Sequence, residues 1–382
     1  MFKRTEESRL TSWFFEIDRP LLTMVLLMIL IGMVFAISAG SVAAGRLAKP
    51  QEWYFFFLKG LPFYCTGLAI LFGTSLLNKK MILGLSAINV IVGFVLLGVT
   101  VVAPHFIKGS ARFVAFQGVN ILPSDIMKPG FIFITAWFLA KMRQMFGEKM
   151  FVCKDAWKLH WFSWWTYLAV FIPMMVIIFT HPDVGTSLLY LGVLVSMLLI
   201  AGLPWSIFGG MIAGGAGLLF LAYNVMPHVH NRINALLSGT GDQYQVTQSL
   251  QSIQHGGLFG RGDDAFIKQY LPDAHTDFIF AAIAEDLGAI LACALLGLLL
   301  YMLKLLVSDA LRARDRFVFY AVGGAAALFG IQTCINMVST LGLFAAKGMT
   351  LPFISYGGSS LLGFCMLFGM VLAVIREDRW KS

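Results

Sequence analysis

Charged side chains are scarce in this chain: Asp, Glu, Lys and Arg make up 13% of its 382 residues. A soluble globular domain carries about 25%, so a surface bathed in water on every side is excluded. No basic run with interleaved aromatics occurs, which argues against nucleic acid as a partner. The formal net charge of +8 is better placed in cytoplasmic loops. The five cysteines, Cys65, Cys153, Cys293, Cys334 and Cys365, are scattered and form no CxxC pair. They read as free thiols with no disulfide or metal role. The seven histidines have no ligand spacing. Neither HExxH nor GxSxG is present, so the zinc-protease and serine-hydrolase signatures are missing. There is no low-complexity tail and no internal repeat.

Apolar sequence is what the chain has in abundance. Hydrophobic residues account for 58% of it, with a mean hydropathy of +0.80. A helix crosses a bilayer with about 20 apolar residues. Ten runs meet that need: 21–39, 54–77, 81–103, 124–141, 161–180, 184–203, 205–226, 277–307, 317–346 and 351–375. The first is followed by SVAAG, which resembles a cleavage site. It is longer than the roughly 7–15 residues of a signal-peptide core, however, and reads as a retained span. With the N-terminus inside, 18 of the 28 Lys and Arg residues fall on the cytoplasmic side, as the positive-inside rule requires. The expected fold is an all-α polytopic membrane protein of ten transmembrane helices with both termini cytoplasmic. It forms one domain over 1–382, with a long periplasmic loop, 227–276, between helices seven and eight.

The stretch Leu271–Gly288, LPDAHTDFIFAAIAEDLG, places Asp277 at the outer mouth of the eighth run. A carboxylate there is costly to bury and points to function, although an acid at a helix start is also a good cap. Glu285 lies eight positions on, about 12 Å deeper along a continuous helix at 1.5 Å per residue. Glu285 and its neighbour Asp286 read as structural, needing partners from other helices. Asp183, in THPDVGTSLL, reads as a cap. Gly210 and Gly214, in FGGMIAGGAG, look like a phosphate cradle at first sight. Within an apolar run their i, i+4 spacing instead predicts close helix packing. Gln332 and Asn336 share a helix face suited to interhelical hydrogen bonds.

The segment Gly241–Gly262 is rich in amides and hydroxyls, among them Gln248 and Ser249. That mix suits a sugar or polar head group, or a merely solvated loop. The outer cations include Lys108, Arg112, Lys128, Arg232, Arg261, Lys268 and Lys347. Lys347 is wedged between two apolar runs, where it either snorkels to the interface or meets an anionic phosphate.

In combination these pieces resemble the SEDS family of cell-wall polymerases. The matching segments are VNILPSDIMKP, HPDVGTSLL, DQYQVTQSLQSIQHGGLFGRG, LPDAHTDFIFAAIAEDLG and KGMTLPFISYGGSSLL. They run in the family's order across spans three to ten. YQVTQSL and the lysine of KGMTLP are closer to the division branch than to the elongation branch. WFFEIDRPLL resembles alphaproteobacterial members. The chain departs from the family pattern at Ala111–Phe113, at Asp125 where a glutamate is usual, and at Gly262–Ala265.

The resemblance implies a peptidoglycan glycosyltransferase that joins lipid II into β-1,4 glycan at the division septum of the bacterial inner membrane. Lipid II is a disaccharide-pentapeptide on undecaprenyl pyrophosphate. Asp277 would serve as general base in an inverting reaction, with the pyrophosphate as leaving group. Lys347 and Arg112 would neutralise that group, and Gln248, Ser249 and His275 would contact sugar or phosphate. Whether a divalent cation, Mg or Mn, takes part is left open. The implied partner is FtsI, a monofunctional class B penicillin-binding protein, with FtsQ, FtsL, FtsB and FtsN as further associates. The rivals are a lipid II flippase, an elongation-branch polymerase and a division scaffold.

Overall fold

The computed structural model describes residues 9–45, 51–102, 105–107, 110–116, 119–158, 160–180, 184–225, 230, 234, 243–343 and 348–380. Each of the ten apolar runs contains a helix. In chain order, after a short α1 (Arg9–Glu16), these are α2 (Arg19–Gly45), α3 (Phe55–Ser75), α4 (Lys79–Val102), α5 (Pro123–Phe146), α6 (Trp164–Thr180), α7 (Val184–Ile200) and α8 (Trp205–Val225). After α9 (Gln243–Gly256), outside the ten runs, come α10 (Ile279–Arg312), α11 (Arg316–Thr340) and α12 (Gly358–Trp380). Among the described residues, six of them are long and apolar enough to cross a membrane, and two shorter ones, in α6 and α7, are also apolar. The chain is a multi-pass membrane protein.

Burial ranks the helices. In α12, 78% of the most apolar window is buried, and in α11 67%, against 22% in α3. So α11 and α12 form the centre, with α5 beside them, and the remaining helices present much of their apolar surface outward. At the cytoplasmic face, Arg379 of α12 bridges Asp18, at the start of α2, and Asp309, near the end of α10, each at 2.5 Å. Asp18 also accepts from the amide of Leu21 at 2.9 Å, as a helix cap does.

Four features were not expected. A small antiparallel sheet, β1 (His105–Ile107), β2 (Ser110–Phe116) and β3 (Val119–Ile121), in that order, lies between α4 and α5. The amide-rich segment before α10 is helical over α9. Residues 351–357, expected to open the last span, are an irregular segment buried in protein, with Leu351, Phe353 and Ile354 almost fully inside. Non-helical backbone at membrane depth is tolerated only when protein covers it. Finally, α10 is not one straight helix. Gly288 has φ 84° and ψ 171°, and the helix breaks there.

The break is filled by the loop after α9. The amides of Ala289 and Ile290 donate to the carbonyls of Gly257 and Leu258 at 2.8 and 3.3 Å, and the amide of Arg261 donates to the Glu285 carbonyl at 2.9 Å. These bonds engage some of the backbone groups that the break frees at both helix ends. A Cβ at Gly288 would fall 2.3 Å from the Leu258 carbonyl oxygen, so the backbones meet only because a side chain is missing. The part beyond the break, Ala289–Arg312, is roughly 24 residues and about 36 Å long at 1.5 Å per residue, enough to cross a hydrocarbon core of about 30 Å. The preceding piece, with Glu285 and Asp286, therefore sits at the outer end of the span. It does not lie 12 Å down a continuous membrane helix, as the sequence had predicted.

Candidate active site

A tight turn precedes α10. The amides of Thr276, Asp277 and Phe278 all reach the carbonyl of Asp273, at 3.0, 3.1 and 3.3 Å. Asp273 has φ 54°, a left-handed conformation that Asp tolerates better than most residues. The helix starts at Ile279, and its cap position falls on Phe278, which makes no side-chain cap bond. Asp277 thus sits in the turn ahead of the helix and is not the capping residue. It still lies near the positive end of the helix dipole.

Three consecutive carbonyls hold this turn in place. The amide of Tyr356 donates to His275 at 3.0 Å, the Ser355 hydroxyl to Thr276 at 2.5 Å, and Asn336 Nδ2 to Asp277 at 2.8 Å. Asn336 Nδ2 also donates to the Met349 carbonyl at 2.6 Å. One turn earlier on α11, Gln332 Nε2 donates to the carbonyl and the hydroxyl of Thr350 at 2.9 and 3.2 Å. The polar face of α11 therefore pins the Asp277 turn and the 349–357 segment to each other. The Asp277 side chain is half-buried and faces Gly348. A Cβ added to Gly348 would lie 2.2 Å from Asp277 Oδ2. Only glycine leaves the carboxylate where it stands.

His275 packs against aromatic rings, with centroids 4.8 Å from Phe56 and 5.8 Å from Tyr356.

Glu285 is fully buried and accepts four hydrogen bonds. Ser252 Oγ and the Lys268 amide approach one oxygen, both at 2.6 Å. His255 Nδ1 and the Ile267 amide approach the other, at 2.9 and 2.8 Å. Asp286 pairs with Lys268 and accepts from Ser38 of α2 at 2.5 Å. Together the two acids bind α9 and the loop after it to α10 and α2.

The other candidates are distributed unevenly. Ser249 is fully buried and donates to the Thr340 carbonyl at 2.7 Å, closing the end of α11. It is enclosed in protein, with its hydroxyl committed to that carbonyl. Gln248, beside it on α9, is half-exposed. Arg112 lies on β2, its guanidinium 5.3 Å from the ring centre of Phe113. Lys347 and Asp183 lie outside the described residues. Among the described residues, none packs on Gly210 or Gly214: both are exposed, and a Cβ at either would meet no described atom within 4 Å. The close packing expected from their spacing is not seen among the described residues.

One cluster was missed. Lys128, almost fully buried, donates to Asp125 at 2.6 Å and to Gln332 Oε1 at 2.9 Å. Ser359 of α12 approaches the other oxygen of Asp125 at 3.4 Å. The network joins the outer ends of α5, α11 and α12 and reaches the 349–357 segment through Gln332. Its signal was the i, i+3 acid–base pair in PSDIMKP. Among the described residues, no group of three or more His, Cys, Asp or Glu side chains could hold a metal ion.

Residues 18–380 match the model of the FtsW/RodA/SpoVE family, described as cell cycle proteins. The chain belongs to this family. A relative from Caulobacter vibrioides, a probable peptidoglycan glycosyltransferase FtsW, is 33% identical over 98% of this chain and 93% of its own length. A protein of the same description from Thiomicrospira cyclica is 33% identical over 95% of this chain and 92% of its own. Among solved structures, a chain from a peptidoglycan synthase complex that coordinates polymerisation and crosslinking superimposes with a TM-score of 0.75. It shares 23% identity, covering 95% of this chain and 99% of that one. The rod shape determining protein RodA of Thermus thermophilus gives 0.67 at 23% identity, covering 95% of this chain and 97% of that one. At that identity the structural matches speak for the fold of this family member.

Proposed function

We propose that this family member is a peptidoglycan glycosyltransferase that polymerises lipid II at the outer face of the inner membrane. Asp277 takes the proton from the 4-hydroxyl of the acceptor N-acetylglucosamine. The oxygen attacks C1 of the donor N-acetylmuramic acid with inversion. The C1–O bond to the diphosphate breaks, and undecaprenyl pyrophosphate leaves with the electron pair. A diphosphate is already a good anion, so one carboxylate suffices. Glycoside hydrolysis, with a poor leaving group, uses two. Lys347 and Arg112 neutralise the departing charge, and such cation clamps are a large part of catalysis wherever charge develops. Gln248 and His275 are the remaining candidates for sugar or phosphate contacts.

The observation that carries this reading is the turn itself. Three successive carbonyls are tied down around one half-buried acid at the outer end of a span, and Gly348 leaves that acid its room. A reacting group must be held to within a fraction of an ångström, and this arrangement supplies that positioning. The Gly288 break supports an enzyme over a flippase. It puts Glu285 and Asp286 at the outer end, so the acids of α10 near Asp277 do not mark a path across the membrane.

The likeness to a synthase-complex chain and to FtsW proteins favours a class B penicillin-binding protein, FtsI, as partner, with FtsQ, FtsL, FtsB and FtsN nearby, and the septum as location. The test is polymerisation in detergent, where no bilayer separates two compartments. The purified chain with its partner should convert lipid II into glycan. A transporter would yield no polymer, and absence of product with the partner bound would refute the proposal.

A further inference from the structure

A second site lies in the opposite half of the molecule. A groove of about 420 Å³ opens between α4, α5 and α6. Its walls are almost wholly apolar, among them Phe94, Phe131, Phe138, Phe171 and Met174. Its hydroxyls are used internally: Thr135 and Tyr167 bond each other at 2.9 Å, and Thr166 donates to the His160 carbonyl at 2.6 Å. Its hydroxyls therefore need no water when a hydrocarbon chain lies against them. The residues from α6, Thr166 to Met174, belong to the first part of that helix, next to the basic loop. The groove therefore opens toward the cytoplasmic face and runs from there to the middle of the bilayer, where Phe94 of α4 and Phe131 of α5 close it.

Its mouth is built for an interface. Trp161, which lines the groove, is 89% exposed, and tryptophan prefers the head-group level. Ile134, Trp137 and Phe138 line the groove from α5, and Lys141 follows on the same face one turn nearer the cytoplasm. Between 141 and 158 the chain carries Lys141, Arg143, Lys149, Lys154 and Lys158 against only Glu148 and Asp155. Arg143 pairs with Glu148 at 2.8 Å and Lys158 with Asp155 at 2.6 Å, while Lys141, among the described residues, reaches the neutral Gln144 at 3.2 Å.

We propose that this groove binds a phospholipid of the cytoplasmic leaflet with an anionic head group, one acyl chain lying along the aromatic wall and the phosphate meeting Lys141 and drawing Lys158, three residues before Trp161, out of its exposed and therefore weak pair with Asp155. The isoprenoid chain of a substrate would bring its diphosphate to Asp277 at the other face, far from these lysines. Juxtamembrane cations attract anionic lipid strongly enough to set a preference of this kind.

Native mass spectrometry of the full chain in detergent tests this, with phosphatidylglycerol and phosphatidylethanolamine of identical acyl chains. The native chain should retain phosphatidylglycerol at least about fivefold better, the scale of one cation near a lipid phosphate. Val170→Trp, at a groove position already 51% exposed, should remove the bound lipid. Lys141→Gln with Lys158→Gln, a surface change that leaves the groove intact, should keep binding but abolish the preference. Equal retention of the two lipids, binding indifferent to Val170→Trp, a preference that survives the lysine changes, or displacement of phosphatidylglycerol by undecaprenyl phosphate would each overturn the proposal.

Discussion

Asp277 and Glu285 stand eight residues apart, and the protein treats them in opposite ways. Around Glu285 the side chain is the anchor: two backbone amides, a serine and a histidine converge on its carboxylate, which is sealed from solvent. Around Asp277 the backbone is the anchor. Its carbonyl and the two before it are bonded, while the carboxylate stays half-buried beside a glycine. Four donors hold Glu285 in an architectural role. A rigid backbone under a partly accessible acid is what a positioned base requires.

This contrast can be broken at several points. After the acid at 277 itself, the largest effect is expected at Gly348. Gly348→Ala pushes a methyl into Asp277 Oδ2, and a displacement of that order costs up to about 10²-fold in rate. Lipid II polymerisation by folded protein reads it, and unchanged turnover would mean that the carboxylate's place is not set there. Next is Glu285→Gln, which turns an amide NH₂ toward donors that need an acceptor. Thermal unfolding should show a loss of about 1–3 kcal/mol, with turnover per folded molecule falling far less than for Gly348→Ala. The reverse pattern would exchange the roles of the two regions.

Smaller effects sharpen the picture. Ser249→Ala removes one bond to the end of α11 and should cost about 1 kcal/mol of stability while leaving lipid II affinity unchanged. A loss of affinity alone would restore Ser249 as a substrate contact. Gly214→Ala, on the open face of α8, should change stability by no more than about 0.5 kcal/mol, as for other surface positions. A large loss would mean that this face is covered in the working assembly.

Much of this could be read from the residues. The ten apolar runs each hold a helix because apolar length is a strong signal, and the LPDAHTDF motif does sit at an outer helix mouth. What escaped was hidden by local ambiguity. Gly288 in EDLGAI looks like any glycine of a membrane helix, and only the carbonyl of Leu258 above it shows why the chain turns there. Helix α9 was read as a loop because its apolar stripe is thin. Val246, Leu250 and Ile253 have helical spacing, but its fully buried positions include Ser249 and Ser252. Residues 351–357 are apolar enough to pass for a helix start. They stay irregular because Gln332, Asn336 and the Ser355 hydroxyl satisfy backbone groups of residues 349–351. Gly210 and Gly214 show the converse: a packing motif by spacing, with no described atom within 4 Å of a Cβ at either position.

The most direct test is the rate of lipid II polymerisation by Asp277→Asn in complex with its partner. The substitution keeps the size of the side chain and removes its basicity. If Asp277 is the base, turnover falls by about 10²–10⁴-fold with no change in thermal stability. A stably folded Asp277→Asn protein that polymerises at the native rate would contradict it.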